Sequence, residues 1–297
     1  MENNSKKILI TGAAGLIGRE MCALLSKEFD VVAVDNNFRY PDFQPNNCSY
    51  IQSDIEDYLS KVDNDFDYVF HLSAINGTSY FYQIPNQLIE NNIKSDLAIF
   101  NFMKKNSKSK LIYASSSEVI AGSNEYPTPE LTDISIKNIH NPRWSYRISK
   151  MLSENYLVNS NINYLIIRFF NVYGKSSGSG HFFKDILDNI AIENYKLMGQ
   201  DETRSFCRVE DAADALVNIF KIADNEIVNI GSDEEITILE AANIIADCLG
   251  KRIDWQSIPS KQGSVLRRKP CLKKLKSLYP SFNPKTFKQS INEYFTQ

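Results

Sequence analysis

Short apolar runs alternate with amphipathic stretches along the first ~170 residues of the chain. Lys7–Thr11 is brief, apolar and followed at once by glycines, the pattern of a buried parallel strand. Beyond it, Leu16, Ile17, Met21, Leu24 and Leu25 recur at helical spacing. Val31–Val34, Tyr68–Leu72, Leu111–Ala114 and Tyr164–Phe169 read as further strands. Between the third and fourth strands, Leu88, Ile89, Asn92, Ile93, Leu97, Phe100 and Phe102 fall at helix-like intervals over Leu88–Met103, and Ser145–Val158 predicts another helix. Parallel neighbours need right-handed crossovers, and the helix in each crossover must lie on the sheet. The alternation therefore predicts an α/β fold: a doubly wound parallel sheet covered on both faces.

After Gly174 the texture changes. Lys175–Gly180 reads as a flexible linker, Ile238–Leu249 as a helix, and Arg267-Arg268-Lys269-Pro270 as a basic loop. The expected organisation is a sheet domain over 1–174 and a smaller C-terminal α/β substrate-binding region over 175–297, with parts of 205–231 returning to the sheet. There is no internal repeat.

Composition narrows the function classes. The 297 residues are 43% hydrophobic and 23% charged, which fits a folded globular enzyme and excludes a disordered chain. A net charge of −3 gives no electrostatic footprint for nucleic acid or an anionic membrane, so a bound anion must be met by a few local cations. Five scattered cysteines without a C-x-x-C pair, and three well-separated histidines, predict neither a disulfide framework nor a metal site. Lys6–Ile17 has the outline of a secretory signal, but Arg19 and Glu20 end its apolar stretch early and no cleavage site follows. No other apolar run approaches the ~18 residues of a membrane span. A cytoplasmic protein is expected.

Gly12-x-x-Gly15-x-x-Gly18 lies between the first strand and the first helix. One glycine permits a tight turn, one lets the backbone approach a pyrophosphate, and one lets helix and strand pack closely. The helix N-terminus beyond, at Leu16 and Ile17, offers free N–H groups to phosphates. Asp35 ends the second strand about twenty residues on, where a carboxylate binds both adenosine ribose hydroxyls and repels a 2′-phosphate. This predicts a Rossmann-type domain binding NAD rather than NADP. Arg39 is the one nearby cation, and Asn36 and Asn37, which follow Asp35 directly, are neutral.

Tyr146 and Lys150 stand four residues apart on one helix face. A phenol with a pKa of ~10 is a poor base at neutral pH, and lowering it to ~7 takes about 4 kcal/mol of interaction with nearby positive charge. Tyr146 can then take a proton from a sugar hydroxyl while the carbon beneath loses hydride. Ser115-Ser116-Ser117-Glu118 follows the fourth of these strands, where open α/β sheets place their ligands, and small hydroxyls there can hydrogen-bond the reacting oxygen.

Together with Asp54-Ile55, His71-Leu72-Ser73-Ala74, Arg168–Gly174, Thr203–Asp211, Asn229-Ile230-Gly231 and Arg267–Pro270, these motifs follow an order that resembles extended short-chain dehydrogenases/reductases, the NAD-dependent nucleotide-sugar epimerases and dehydratases. The resemblance spans nearly the whole chain. It implies that Asp54 and Ile55 flank the adenine and Ser73 and Ala74 the ribose, with Asn92 also on the cofactor side. Ser116 would sit beside Tyr146, Lys150 would bind the nicotinamide ribose, and Ser117 and Glu118 would join the catalytic and substrate groups. Asn171, Arg204 and Arg268 would hold the diphosphate of the sugar nucleotide, with Thr78 also on the substrate side. The helices Leu88–Met103 and Ser145–Val158 would form a four-helix interface in a homodimer.

The sequence also departs from the family's pattern. N-x-x-G-T reads Asn92-Ile93-Lys94-Ser95-Asp96, V-Y-G reads Val119-Ile120-Ala121, and R-x-P-D reads Arg268-Lys269-Pro270-Cys271. The Asp-Glu pair typical of 4,6-dehydratases reads Ser117-Glu118, which argues against dehydration. The expected activity is epimerisation of a UDP-, GDP-, CDP- or dTDP-sugar through transient C4 oxidation. Pro142-Arg143-Trp144 and the Arg-Lys-Pro run resemble UDP-glucuronate decarboxylases, which keeps decarboxylation open. Net C4 dehydrogenation remains a further option, and an NAD-binding redox sensor or scaffold without turnover is the non-enzymatic one.

Overall fold

In the computed structural model, residues 5–62, 66–136 and 138–296 are described. Strand β1 (Lys7–Thr11) runs into helix α1 (Leu16–Leu25), then β2 (Asp30–Asp35), β3 (Ser49–Gln52), the short α2 (Ile55–Leu59) and β4 (Tyr68–His71). Helices α3 (Thr78–Gln83) and α4 (Pro85–Lys105) lead to β5 (Lys110–Ser116), and α5 (Trp144–Val158) leads to β6 (Asn163–Phe169). Seven strands form one parallel sheet in the order β11-β6-β5-β4-β1-β2-β3, with β11 at Glu226–Ile230. The doubly wound Rossmann-type sheet expected from the sequence is the observed one.

The apolar strands bury both faces by simple alternation. Ile8, Ile10, Ala33, Ile112 and Ile167 point into one core layer, closed by Met21 and Cys22 of α1 and by Ala212, Leu216 and Ile219. Leu9, Val34, Leu111, Tyr113 and Ile166 point into the other, closed by Ile99, Phe100 and Met103 of α4 and Leu157 of α5. In α4 the buried face is rotated from the expected one: Leu97 is exposed, whereas Asp96 is 1% accessible. The helical interval was right, but a buried carboxylate replaces a hydrophobe on the inward stripe.

Beyond β6 come β7 (Val172–Tyr173), α6 (Phe182–Ala191), β8 (Lys196–Met198), β9 (Thr203–Arg204), β10 (Cys207–Arg208) and α7 (Val209–Ile219), the Ala-rich helix that covers α1. After β11 follow β12 (Ile236–Thr237), α8 (Ile238–Cys248), β13 (Gln256–Ile258), β14 (Arg267–Arg268), α9 (Lys273–Leu278) and α10 (Phe287–Thr296). Helices α6, α8 and α10 enclose a separate aromatic core around Phe183, Phe206, Ile245, Phe287 and Tyr294.

Two expectations for this half are corrected. Lys175–Gly180 is not a free linker: Gly174 N–H donates to Ser177 Oγ, Tyr40 OH to the Ser176 carbonyl and Thr78 N–H to the Gly180 carbonyl. The run Arg267–Pro270 is no loose basic loop either. Its arginines form β14 beside β9, with Arg268 in register with Arg204 and Arg267 paired to Glu235. Glycine and charge content predicted mobility, but long-range partners fix both segments.

Candidate active site

The C-terminal strand ends open into a cavity of about 1270 Å³ that reaches from the glycine turn and Asp54 to Met198 and Arg268. Gly12, Gly15, Leu16, Ile17, Gly18, Asp35, Asp54 and Ile55 all border it. Gly12 has φ +71°, and a β-carbon there would lie 2.5 Å from Ser73 N; one at Gly18 would lie 2.1 Å from the Gly12 carbonyl oxygen. Both glycines are demanded by the turn and by the contact of strand with helix. Helix α1 starts at Gly15 without a side-chain cap, so its first N–H groups face the cavity.

Asp35 accepts hydrogen bonds from Ala14 N–H at 3.0 Å and Asn37 N–H at 2.7 Å. Burial pushes its carboxyl upward from the ordinary value, and the two amides oppose that shift. Arg39 lines the cavity and bears on Asp35, while it reaches His181 at 3.5 Å and lies over Tyr80. Arg19, also near Asp35, lies over the rings of Phe43 and Tyr40 and donates to the Ala14 carbonyl. The uncapped helix, the glycine turn and the strand-end acid fit a dinucleotide.

Further in, Ser73 and Ala74 follow β4 and line the same cavity. Ser73 Oγ lies 3.0 Å from Thr11 Oγ1. Asn92 uses both its polar atoms on Ile75, accepting from its N–H at 2.8 Å and donating to its carbonyl at 3.2 Å. It therefore clamps the loop after β4. Asp54 accepts from Asn36.

Tyr146 is 4% accessible and stacked on Phe81, with ring centroids 5.1 Å apart. Burial raises its pKa well above the ordinary tyrosine value, and the nearby Ser116 hydroxyl, which favours the phenolate, opposes that shift. Lys150 is buried one turn along and donates from Nζ to Tyr113 OH at 2.9 Å. Burial lowers its pKa, against the attraction of Asp96 and Glu154. In this chain alone the phenol is therefore poised as an acid, and added positive charge beside it is needed to make it a base near neutral pH.

Glu118 accepts from Arg143 at 2.7 Å and Arg268 at 2.9 Å through the same Oε1. Although burial opposes ionisation, the two guanidinium groups hold its carboxyl down at about 2. Such a group cannot give or take a proton near pH 7; it orients two arginines. Arg268 keeps Nε and Nη2 buried without a partner among the described residues, whereas Arg204 spends its donors on Glu202, Ser264 and the Thr203 and Val265 carbonyls. Asn171 has φ +42° and donates to the Ser205 carbonyl, and Thr78 opens α3 on the cavity wall. Ser117 borders the cavity between Ser116 and Glu118.

The structure thus brings the glycine turn, Asp35, Ser116, Tyr146, Glu118 and Arg268 around one space, with Lys150 buried behind its wall on Tyr113. Sequence reasoning did not single out Phe81, which stacks on the phenol, or the role of Arg143 against Glu118. Nothing local signals Phe81; Arg143 was visible only within Pro142-Arg143-Trp144. Among the described residues no group of His, Cys, Asp and Glu could hold a metal, and no helix is long and apolar enough to cross a membrane.

A doubly wound sheet with a dinucleotide turn and a buried tyrosine–lysine pair defines an α/β enzyme of the dehydrogenase/reductase type. The profile of the NAD dependent epimerase/dehydratase family matches residues 8–231, and the chain belongs to that family. It is accordingly an NAD-dependent enzyme, and the resemblance drawn from its motifs holds. The chain is 31% identical to a UDP-N-acetyl-alpha-D-glucosaminuronate decarboxylase of Bacillus cytotoxicus, over 97% of this chain and 96% of that protein. It is 29% identical to a putative UDP-glucose 4-epimerase of Methanocaldococcus jannaschii, over 91% and 92%. Its fold superposes with a TM-score of 0.84 on the UDP-N-acetylglucosamine 4-epimerase of Methanobrevibacter ruminantium in complex with UDP-N-acetylmuramic acid, at 25% identity, covering 98% of this chain and 97% of that one.

Proposed function

We propose that this chain epimerises a UDP-linked sugar at C4 by oxidising and re-reducing that carbon, with Tyr146 as the acid/base. The observation that carries the reading is the buried Tyr146 phenol, set with Ser116 on the wall of a cavity that also contains the glycine turn and Asp35. The glycine turn, the start of α1 and Asp35 would hold NAD, which supplies a hydride acceptor when bound. Tyr146 takes the proton from the C4 hydroxyl, and Ser116 donates to the same oxygen. Lys150, fully buried one turn along the helix, braces the site from behind through its bond to Tyr113. Arg268, with two open donors, binds the diphosphate, and Glu118 sets its direction. The UDP preference is supported by the names of the similar proteins above.

A second reading is decarboxylation of a UDP-uronate. It is favoured by the surplus cation that Arg143 and Arg268 bring around the single Glu118, which suits a carboxylate on the sugar, and by the similarity to a decarboxylase. Dehydration is disfavoured because Ser117 stands where an acid is needed. Incubation of the purified protein with UDP-, GDP-, CDP- and dTDP-sugars, followed by product analysis, separates these outcomes. A C4 epimer supports the proposal; carbon dioxide from a UDP-uronate overturns it in favour of the second reading.

The reading includes a homodimer through α4 and α5, supported by the exposed Leu97 and Leu152 on those helices. Sedimentation at a mass of one chain would refute it. Five free cysteines support a reducing, cytoplasmic setting.

A further inference from the structure

Thr11, His71 and Tyr113 stand in register across three neighbouring strands, β1, β4 and β5, one residue row behind the cavity. Asp96 projects onto this row from α4. Its Oδ1 lies 2.8 Å from His71 Nε2, and its Oδ2 accepts from Tyr113 OH at 2.7 Å and Ser153 Oγ at 2.5 Å. Tyr113 in turn accepts from Lys150 Nζ at 2.9 Å. On the other side, His71 Nδ1 lies 2.7 Å from Thr11 Oγ1 and 3.3 Å from Ser73 Oγ, both at the cavity. His71, Asp96, Tyr113 and Lys150 are each at most 1% accessible.

The bonds of this chain converge on Asp96. Lys150 gives to Tyr113 and Tyr113 to Asp96, and from the opposite end the His71 ring bridges Thr11 and Asp96. With Tyr113, Ser153 and the His71 ring all bonded to it, Asp96 is held as a carboxylate: burial opposes its ionisation, and Lys150 and His71 outweigh that and lower its pKa. A solvent-free carboxylate that collects every donor is a costly feature for a fold to carry, and the packing does not need it. Its net effect is to put one negative charge beneath the tyrosine–lysine pair.

We propose that Asp96 is a positioning residue of the oxidation step: the buried anion that holds Lys150, through Tyr113, as an ordered ammonium beside Tyr146. The proposal rests on the reading of Tyr146 as acid/base. The groups facing Asp96 are His71 from β4, Tyr113 from β5, and Lys150 and Ser153 from α5; Lys150 also feels Glu154, and Tyr146 feels Glu118, Asp96 and, in the opposite sense, Arg39. Asp96 attracts the Lys150 proton and opposes ionisation of Tyr146. Both effects keep the working pH range high.

The test is Asp96→Asn, which preserves shape while removing charge. The pH profile of kcat with an accepted UDP-sugar should move as a whole toward acid by about one pH unit, because Tyr146 ionises earlier and Lys150 loses its proton earlier. In parallel, the 13C signal of labelled tyrosine in NAD-loaded protein, assigned to Tyr146 by its loss in Tyr146→Phe, should titrate at lower pH by a similar amount without any sugar present. A fall in kcat with both limbs and the tyrosine signal unmoved overturns the proposal, since a structural role alone predicts that. A moved signal in a protein that turns over no sugar would sink the functional reading and leave the role of Asp96 intact. Should Asp96→Asn not fold, Tyr113→Phe decides: its basic limb should shift toward acid while its acid limb stays, and an unchanged profile contradicts the proposal.

Discussion

Glu118 is held between Arg143 and Arg268, and its carboxyl titrates at about 2 rather than at the ordinary 4.5. Because the folded value is depressed, the stability from this triad is present above pH 4.5 and is lost as pH falls toward 2. The shift corresponds to about 3 kcal/mol. Glu118→Gln should therefore be less stable than wild type at pH 7 in urea unfolding, with a flatter stability profile between pH 4.5 and 2. Equal stability at pH 7 would contradict the buried pairing. At the same scale, Tyr146→Phe should cut kcat by about 10²–10⁴-fold with unchanged circular dichroism. Near-normal turnover would remove the phenol from the chemistry. The tyrosine–lysine pair, the glycines and Asp35 are legible in the sequence because each is a local motif. The partners of Glu118 are not: Arg143 and Arg268 lie 25 and 150 residues away, and only the fold brings them together.

Strands β1, β2, β4, β5 and β6 and helices α1, α4, α5 and α8 follow from apolar periodicity, since a sheet buried on both faces leaves little freedom in residue type, whereas β11, α6, α7 and α10 were not singled out. Shorter pieces escaped: β3 is mostly exposed, and α2, α3 and α9 are too brief to establish a period. In α4 the period was correct but the face was offset, because Asp96 is buried by specific hydrogen bonds and not by hydrophobicity. Two element-level changes test this account of the packing. Gly18→Ala would drive a β-carbon to 2.1 Å from the Gly12 carbonyl oxygen, so folding should lose about 3 kcal/mol and calorimetry should find no NAD binding. Wild-type affinity would mean that strand and helix are not so closely apposed. Helix α8 begins with a complete capping box between Thr237 and Glu240. Thr237→Ala should cost about 1 kcal/mol in unfolding free energy and leave turnover unchanged.

For the molecule as a whole, the parallel sheet delivers the strand ends of β1, β2, β4, β5 and β6 to one rim, and the C-terminal elements close over it with Arg204 and Arg268. This division explains why the cofactor side reads clearly from sequence while the sugar side does not. Phosphate and ribose recognition uses backbone geometry and a few fixed residue types. The far end of the cavity is lined by side chains from α3, β9, β14 and the loops between them, which come together only in the folded chain. The departures at Ile120, Asp96 and Cys271 all lie outside the glycine turn and the tyrosine–lysine pair.

The central claim is that one carbon gives up hydride and receives the same hydride back. Supplying the accepted UDP-sugar with deuterium at C4 and analysing the product by mass spectrometry tests it directly. The account predicts a C4 epimer that retains the deuterium at that position, with no carbon dioxide and no label in water. An epimer that has exchanged its C4 deuterium for solvent hydrogen, or a product one carbon shorter, would contradict it.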